Sequence, residues 1–542
     1  MHKSSLSPRQ TILLYCCYFL IGFALLSLEV IWGRLSSITL GSSIRAYSIT
    51  LAAVMAGLFF GTLHGNRMSA RAEIKRLFLY MIAFALIAGV TSICFVYLSE
   101  FFKFWRFSTP LEANGAYVAT LLQASILVFL PAFFAGAVFP LAIQILVPDV
   151  EHAGRTAGFL YMMNSMGAVA GCLLTGFVLI EEIGLKNSAI FCSILPALPA
   201  LLFFVYHRTL GQATAAVFLV VTLLAGGWIA AYPQYPFTVY LSHRYHSLEE
   251  LNESSASKRT LAEYENSHGI VRVVESDQLR FLQVNGKNES SFLNLDLPTQ
   301  ALLALLPRVY LQRNPGHLLD IGLGTGTTVW FAQKWSGEID SIEINPDVYT
   351  AVSEFFFKEF TNARNINFIS QEARLFLAGS DKKYDIITVE PSYPTDAVTA
   401  SLYTRESMQL YSEALTEGGV LSLFIPYHVL GTRYSEGVVK TVLTEFDQVQ
   451  IWRIRDGADL VVVASQQPFD LGPDEVISGI SEYKIQSLGD LSSELSYARR
   501  NSMLEHIRRS PDIPIYVDDA ITLEVAATNG FLAEHGTAAG GS

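Results

Sequence analysis

The sequence predicts a two-part fold, an α-helical membrane domain followed by a soluble α/β domain. Apolar residues make up 51% of the 542 positions and charged residues only 16%, against the roughly one quarter that is usual in soluble proteins. The apolar excess is concentrated in residues 10–232. The rest of the chain alternates short apolar runs with helical patterns, which is typical of a parallel α/β domain.

Four regions follow from this division. We assign residues 1–235 to the membrane domain, 236–300 to a linker and small β region, and 301–530 to the α/β domain; residues 531–542 form a tail that is partly an expression remnant. The net charge of −12 argues against nucleic acid as a partner. All the cysteines lie in apolar segments without metal-ligand spacing, so we expect neither a metal site nor disulfides.

Seven segments of the first region are long and apolar enough to cross about 30 Å of hydrocarbon as helices. They cover residues 11–33, 46–64, 77–98, 116–147, 156–182, 187–206 and 213–232. Pro131 and Pro140 predict a kink or break in the fourth segment. Glu29 lies in the first segment, where a carboxylate is costly and is therefore either functional or paired, for example with Arg34.

The small β region contains a predicted hairpin. Residues 270–274 and 279–284 read as two strands joined by the polar residues 275–278. Residues 299–312 then predict a helix, because leucines recur on one broad face of that segment.

A glycine-rich turn opens the α/β domain. Residues 317–321 predict a buried parallel strand, which contains Asp320 and runs into Gly322, Gly324 and Gly326 before a helical pattern begins. A turn of this kind between strand and helix lets the backbone approach a ligand closely. The G-x-G-x-G spacing is more typical of S-adenosylmethionine folds than of NAD folds, and we count Asp320 among the candidate cofactor-binding residues.

Acidic residues follow the next three predicted strands. Glu343 ends the second strand, where its carboxylate can accept both hydroxyls of a ribose. Glu372, with its neighbour Ala373, follows the third strand and is either a hydrogen-bond acceptor for an adenine amino group or a helix N-cap. Glu390 ends the fourth strand and faces the same crevice, since ligands of open α/β sheets bind at the carboxyl ends of strands. The sequence therefore predicts a Rossmann-like domain with a nucleoside site.

These motifs resemble those of the spermidine synthase (polyamine aminopropyltransferase) family, in its bacterial branch fused to an N-terminal membrane domain. The resemblance covers residues 260–430 and extends to the acidic pair at 518 and 519. It implies a class I methyltransferase-type fold and S-adenosylmethionine or its decarboxylated form as a small-molecule substrate. It also implies that no prosthetic group is bound, that Gln300 lies near the substrate, and that the protein forms a homodimer through the hairpin region.

The catalytic loop departs from that family. Soluble members carry two aspartates there, in the pattern Asp-Ser-Ser-Asp-Pro, whereas this chain has Glu390 at the first position and Tyr393 at the second. The resemblance implies that Glu390 is the general base. We count Tyr393 with it as a catalytic candidate, although the loss of a carboxylate weakens the anchor for a diamine such as putrescine.

Three functions remain open at this point. The first is aminopropyl transfer to an amine with release of 5′-methylthioadenosine. The second is an S-adenosylmethionine lyase, in which the substrate's own carboxylate attacks to give homoserine lactone. The third is a transporter or sensor with a regulatory nucleoside-binding domain, for which Glu29 is the support; ordinary methyl transfer is a weaker option.

The predicted location is the inner (cell) membrane, with several spans in the lipid bilayer. Basic residues precede the first span and recur in residues 67–76. The positive-inside rule therefore places the N-terminus and the loop of residues 67–76 in the cytoplasm. Seven spans would then leave the α/β domain outside, although nucleotide-like substrates are cytoplasmic. We place that domain in the cytoplasm and expect a miscounted span near the fourth segment.

Overall fold

The computed structural model describes most of both parts of the chain. The described residues are 8–40, 44–69, 73–111, 113–147, 153–199, 249, 258–276, 279–285, 287–291, 297–392, 394, 397–454, 459–483, 491, 495–497, 501–518 and 523. The chain divides into two compact units, Met1–Ser242 and His243–Ser542.

In the described residues of the first unit, all the secondary-structure elements are helices. Its helices are α1 (Pro8–Leu40), α2 (Ile44–Met68), α3 (Ile74–Val96), α4 (Leu98–Phe107), α5 (Ala113–Leu146), α6 (Ala153–Leu174) and α7 (Ile180–Ile194). Five stretches of the described part are long and apolar enough to cross a membrane: Thr11–Ser37, Tyr47–Met68, Ile74–Phe95, Gly115–Leu146 and Ala153–Pro199.

The predicted fifth and sixth segments form one continuous stretch. A π-helical turn, Thr175–Leu179, joins α6 to α7, and the chain bends at Gly184, where φ is 78°. The predicted seventh segment, residues 213–232, lies outside the described residues. Helix α5 continues through Pro131 and Pro140, so no break occurs there, and the alternative of a kink stays a prediction.

Small residues bring α1 and α6 into close contact. A Cβ atom added at Gly167 would lie 2.0 Å from the carbonyl oxygen of Phe19, and one added at Gly171 would lie 2.2 Å from that of Phe23. No side chain fits at such distances, so the two backbones touch directly, as small-residue spacing allows between apolar helices.

The second unit begins with an antiparallel sheet of four strands in the order β1 (Arg259–Asn266), β2 (Gly269–Ser276), β3 (Leu279–Val284) and β4 (Lys287–Ser291). Strands β2 and β3 form the predicted hairpin, with Val271 opposite Val284 and Ser276 opposite Leu279. Helix α8 (Leu297–Leu311) follows, and its residues from 297 to 307 are all buried.

The main sheet has eight strands. In chain order they are β5 (His317–Ile321), β6 (Glu338–Glu343), β7 (Ile366–Ser370), β8 (Tyr384–Val389), β9 (Leu415–Ile425), β10 (Gln448–Ile454), β11 (Asp459–Ser465) and β12 (Leu495–Tyr497). The order across the sheet is β12-β10-β11-β9-β8-β5-β6-β7. Strands β5 to β9 are parallel, and β10 to β12 are antiparallel to their neighbours.

Helices connect and cover these strands. They are α9 (Thr327–Ala332), α10 (Pro346–Phe355), α11 (Ala373–Ala378), α12 (Ala397–Ser401), α13 (Arg405–Ala414), α14 (Tyr427–Val442), α15 (Pro473–Ser481) and α16 (Asn501–Arg509). Two apolar clusters form the core, one containing Leu318 and Ile386 and the other Leu319 and Ile387. Because neighbouring strand residues point to opposite faces, the two clusters cover both faces of the sheet. The predicted fold class is confirmed.

Candidate active site

The glycine turn lies at the carboxyl end of β5. Gly322, Gly324 and Gly326 have φ values of 92°, 52° and 79°, which L side chains rarely adopt. The amide of Gly322 donates to the carbonyl oxygen of Ile342 on β6, at 3.0 Å. A Cβ atom at Gly322 would lie 2.5 Å from the carbonyl oxygen of Glu390, so the catalytic loop passes directly over the turn.

Glu343 lies beside this turn, at the end of β6. Ile321 and Ile342 are opposite each other in the register of β5 and β6, which brings the two strand ends together. The Oε1 atom of Glu343 accepts a hydrogen bond from the amide of Asn345 at 3.0 Å, and this fixes the half-buried carboxylate. Its position fits the predicted ribose contact.

Glu390 is held by its side chain and by its backbone. Its amide donates to the carbonyl oxygen of Ile321 at 2.9 Å. Its Oε2 atom accepts a hydrogen bond from the hydroxyl of Thr328 at 2.8 Å. Thr328 is the second residue of α9 and is 2% exposed. The turn, its helix and the carboxylate therefore form one connected site.

Thr328 is a site residue that the sequence reasoning missed. The available signal was a hydroxyl residue in the first turn of the helix that follows the glycines. The same hydroxyl lies 3.3 Å from the carbonyl oxygen of Gln300 in α8. Gln300 is buried, and its Oε1 atom accepts no hydrogen bond from the described residues. The backbone of Gln300 therefore contacts the same hydroxyl that binds Glu390, and the side-chain Oε1 atom of Gln300 is still to be paired.

Asp320 lies inside the sheet rather than at its edge. Its two carboxylate oxygens accept hydrogen bonds from Ser341 on β6 and Thr388 on β8, at 2.8 and 2.9 Å. Burial raises the pKa of Asp320 to about 7, against the lowering effect of the two hydroxyls. These contacts tie β5 to both neighbouring strands and so fix the glycine turn. A direct contact of Asp320 with a cofactor stays a prediction.

Glu372 is the N-cap of α11. Its Oε1 and Oε2 atoms accept hydrogen bonds from the amides of Arg374 and Leu375, at 3.1 and 2.7 Å. This is the second of the two roles that its position suggested. Each carboxylate oxygen has two lone pairs, so the predicted adenine contact is compatible with the cap but stays a prediction. Ala373, the first residue of α11, is buried.

Of the acidic pair at positions 518 and 519, the structure describes Asp518. Its carboxylate pairs with the guanidinium of Arg374 and accepts a hydrogen bond from Thr404 at 2.8 Å. Burial would raise the pKa of Asp518, but Arg374 and Thr404 lower it overall. The residue therefore fastens the C-terminal segment to α11 and to the segment before α13. Asp519 and the catalytic candidate Tyr393 lie outside the described residues.

Comparison with known proteins gives one curated relative. A polyamine aminopropyltransferase of Oceanobacillus iheyensis is 20% identical over 435 residues, which cover 76% of this chain and 77% of the relative. The chain resembles the polyamine aminopropyltransferases. The resemblance expected from the motifs is thereby confirmed. The matched region covers 76% of the chain, whereas residues 243–542 make up only about half of it, so the match extends into the first unit.

Solved structures of spermidine synthases were also found, including the following two. A spermidine synthase in complex with the transition-state analogue AdoDATO is 18% identical, with a TM-score of 0.39, over 46% of this chain and 88% of its own. The spermidine synthase of Thermotoga maritima is 18% identical, with a TM-score of 0.38, over 46% of this chain and 87% of its own. No protein-family model matches the chain.

Proposed function

We propose that the protein transfers the aminopropyl group of decarboxylated S-adenosylmethionine to an amine and releases 5′-methylthioadenosine. The observation that carries this proposal is the position of the Glu390 carboxylate. Glu390 follows β8, its backbone carbonyl oxygen lies directly over Gly322, and its carboxylate accepts a hydrogen bond from the Thr328 hydroxyl. The similarity to polyamine aminopropyltransferases supports the same reaction type.

The nucleoside lies across the ends of β5 and β6 in this proposal. Glu343 accepts the ribose hydroxyls, and the glycine turn from Gly322 to Gly326 admits the ligand close to the backbone. The sulfonium then lies between Glu343 and Glu390, two carboxylates whose charges stabilise it. Gln300 offers its buried Oε1 atom as a further acceptor for the ligand.

The chemical step uses the sulfonium as the leaving group. The lone pair of the acceptor amine attacks the methylene carbon next to sulfur, the carbon–sulfur bond breaks, and its electron pair stays on sulfur. Glu390 accepts a proton from the amine, so that the lone pair is available. Binding both substrates at one edge of the sheet provides most of the remaining acceleration through proximity.

A second candidate is the lyase reaction, and the catalytic loop favours it. The second acidic position of the loop holds Tyr393, so the loop offers one carboxylate where a diamine site would use two. S-adenosylmethionine carries a carboxylate that can attack internally and give homoserine lactone with 5′-methylthioadenosine. No amine is needed, and Glu390 then stabilises the sulfonium.

One experiment separates the two reactions. The detergent-purified full chain is incubated with S-adenosylmethionine or its decarboxylated form, with and without an amine, and products are identified by mass spectrometry. Methylthioadenosine formed only from the decarboxylated form plus an amine supports the transferase. Its formation from S-adenosylmethionine alone supports the lyase, and its absence in every mixture refutes both.

We propose further that the apolar helices anchor this enzyme in the inner membrane, with the α/β domain in the cytoplasm, where its substrates are. The five membrane-length helices of the described residues support an anchor. A homodimer through the β1–β4 sheet is proposed on the family resemblance. Protease protection in membrane vesicles tests the side of the membrane, and light scattering of the purified protein tests the dimer.

A further inference from the structure

The turn between β1 and β2 of the small sheet contacts the start of α10, the helix that follows β6. Asn266 ends β1, and its Nδ2 atom donates to the Oδ1 atom of Asn345 at 2.7 Å and to the Oδ2 atom of Asp347 at 2.8 Å. Asn345 is 2% exposed and is the N-cap of α10. A side chain of the small sheet is therefore bound to the segment that joins β6 to its helix.

Backbone amides fix the orientation of both asparagine side chains. The Oδ1 atom of Asn266 accepts hydrogen bonds from the amides of His268 and Gly269, at 2.7 and 3.2 Å, so its Nδ2 atom is the one that faces α10. The Oδ1 atom of Asn345 accepts a hydrogen bond from the amide of Asp347 at 3.1 Å. Because a backbone N–H only donates, each of these oxygens is identified by its partner. The bond from Asn266 to Asn345 therefore has a defined donor and a defined acceptor.

Asn345 is joined in turn to Glu343, the acid that ends β6. The amide of Asn345 donates to the Oε1 atom of Glu343 at 3.0 Å, so the position of this main chain sets the position of the carboxylate. The side chain of Asn345 is held through its oxygen, since its buried Nδ2 atom has no hydrogen-bond partner among the described residues. Asn266 supplies one of the two hydrogen bonds to that oxygen. Loss of the donor on Asn266 therefore loosens the residue that orients Glu343.

The small sheet also holds the other end of α10. Tyr264 lies on the same face of β1 as Asn266, because side chains two residues apart point the same way along a strand. Its hydroxyl donates to the Oε2 atom of Glu354 at 2.6 Å. The Nη1 atom of Arg280 on β3 donates to the carbonyl oxygen of Phe355, the last residue of α10, at 2.5 Å. Ten helical residues span about 15 Å, so these two contacts lie far from the strand end that carries the acid.

We propose that Asn266 is a positioning residue for nucleoside binding. The turn between β1 and β2 holds Asn345, and Asn345 holds the Glu343 carboxylate where both ribose hydroxyls reach it. This role deepens the proposed function and rests on the ribose contact of Glu343 in it. Asn266 acts without touching the ligand, so the small sheet contributes to the affinity for the nucleoside through the N-cap of α10.

The test measures the preference for a nucleoside that carries the ribose hydroxyls. Isothermal calorimetry on the detergent-purified full chain compares 5′-methylthioadenosine with its 2′,3′-dideoxy form, which offers Glu343 no hydroxyl. We expect the wild type to bind the dideoxy form about tenfold or more weakly, the effect of losing a hydrogen bond to a charged group. The affinity for the dideoxy form reports the rest of the site, and the ratio of the two affinities reports the position of Glu343.

Asn266→Asp is the variant that reverses the contact. It keeps an oxygen for the amides of the turn but replaces the donor by a second acceptor, which faces the oxygens of Asn345 and Asp347. We expect it to lower the affinity for 5′-methylthioadenosine about tenfold and to leave that for the dideoxy form within about threefold of the wild type. Asn266→Ser adds no charge, and its shorter hydroxyl still accepts from the turn. It should lower the same preference in the same direction.

Tyr264→Phe is the matched control. It removes one hydrogen bond between the same strand and the same helix, but at the end of α10 that is remote from Glu343. This variant should leave the affinities for both nucleosides within about threefold of the wild type. Scanning calorimetry of each variant, with one cooperative unfolding transition for the second unit, shows that the chain is still folded. Asn266→Ser decides the test if Asn266→Asp does not fold.

The outcomes separate this proposal from the one on which it rests. A preference that falls in the Asn266 variants and persists in Tyr264→Phe supports the role of Asn266, even if no amine leads to methylthioadenosine release and the transferase is refuted. An unchanged preference, or equal losses for both nucleosides, overturns that role and leaves aminopropyl transfer standing. A wild type that binds both nucleosides equally refutes the ribose contact of Glu343 and this role with it. A wild type that binds neither refutes the nucleoside site and both proposals.

Discussion

Replacement of Gly322 by alanine tests whether the glycine turn and the catalytic loop form one site. The positive φ of 92° costs an L residue about 1–2 kcal/mol. The new Cβ atom would also lie 2.5 Å from the carbonyl oxygen of Glu390, at least 0.5 Å inside the 3.0 Å limit that real Cβ atoms observe. The loop must therefore move, at the cost of the hydrogen bond from the Glu390 amide to Ile321, about 1 kcal/mol net.

Gly418→Ala is the matched control, because Gly418 has a φ of 73° and no atom within 4 Å of the added Cβ. We expect Gly322→Ala to cost about 2–3 kcal/mol and the control about 1–2 kcal/mol, with roughly 2–4 °C of Tm lost for each kcal/mol. Differential scanning calorimetry of the detergent-purified chain measures the difference. Isothermal calorimetry with 5′-methylthioadenosine should show at least a tenfold loss of affinity for Gly322→Ala alone. Equal Tm losses in both variants, with unchanged affinity, would refute the contact between turn and loop.

Three further predictions concern the polar groups of the site. Glu390→Gln should cut turnover and leave the affinity for 5′-methylthioadenosine within about threefold of the wild type. Glu343→Ala should weaken that affinity about tenfold or more, because it removes the proposed acceptor for the ribose. Steady-state kinetics measures turnover and calorimetry measures affinity, and equal losses of affinity in the two variants contradict the division of roles. Thr328→Val should lower kcat and Thr328→Ser should restore it, since only the hydroxyl fixes Glu390; identical kinetics in the two variants would exclude that role. Burial raises the pKa of Asp320 from 3.8 to about 7, so its contribution to stability is present at low pH and is lost as the pH rises toward 7. Asp320→Asn should remove that loss between pH 4 and 7, seen as a flatter dependence of Tm on pH than in the wild type, and parallel curves for the two proteins would contradict the raised pKa.

Local patterns were sufficient to predict the elements that carry the site. The strand at 317–321, the glycines after it and the acid at 343 are fixed by periodicity and turn chemistry within about 30 residues. The long apolar helices were predictable for the same reason, because apolar length is a local property. The exception is the stretch Ala153–Pro199, where polar residues around Gly184 suggest an interruption, although the chain continues as one bent stretch.

The contacts between distant segments could not be predicted in this way. The pairing of Thr328 with Glu390 joins positions 62 residues apart, and that of Thr299 with Asp459 joins positions 160 apart. Both depend on which strands become neighbours, which a single sequence does not specify. Asp320 illustrates the same difficulty, because a carboxylate in a predicted strand can face either a ligand or two hydroxyls of the neighbouring strands.

The attachment of the catalytic loop through main-chain atoms has a consequence for protein engineering. The amide of Glu390 bonds to Ile321 and its carbonyl oxygen rests on Gly322, and neither contact involves the acidic side chain. These two contacts are available to either acid at this position, so side-chain length together with the Thr328 hydrogen bond sets how far the acid reaches. Glu390→Asp would withdraw the carboxylate by about 1.5 Å, one carbon–carbon bond. Under the proposed aminopropyl transfer, acids of different reach can thus be exchanged to suit acceptors of different length.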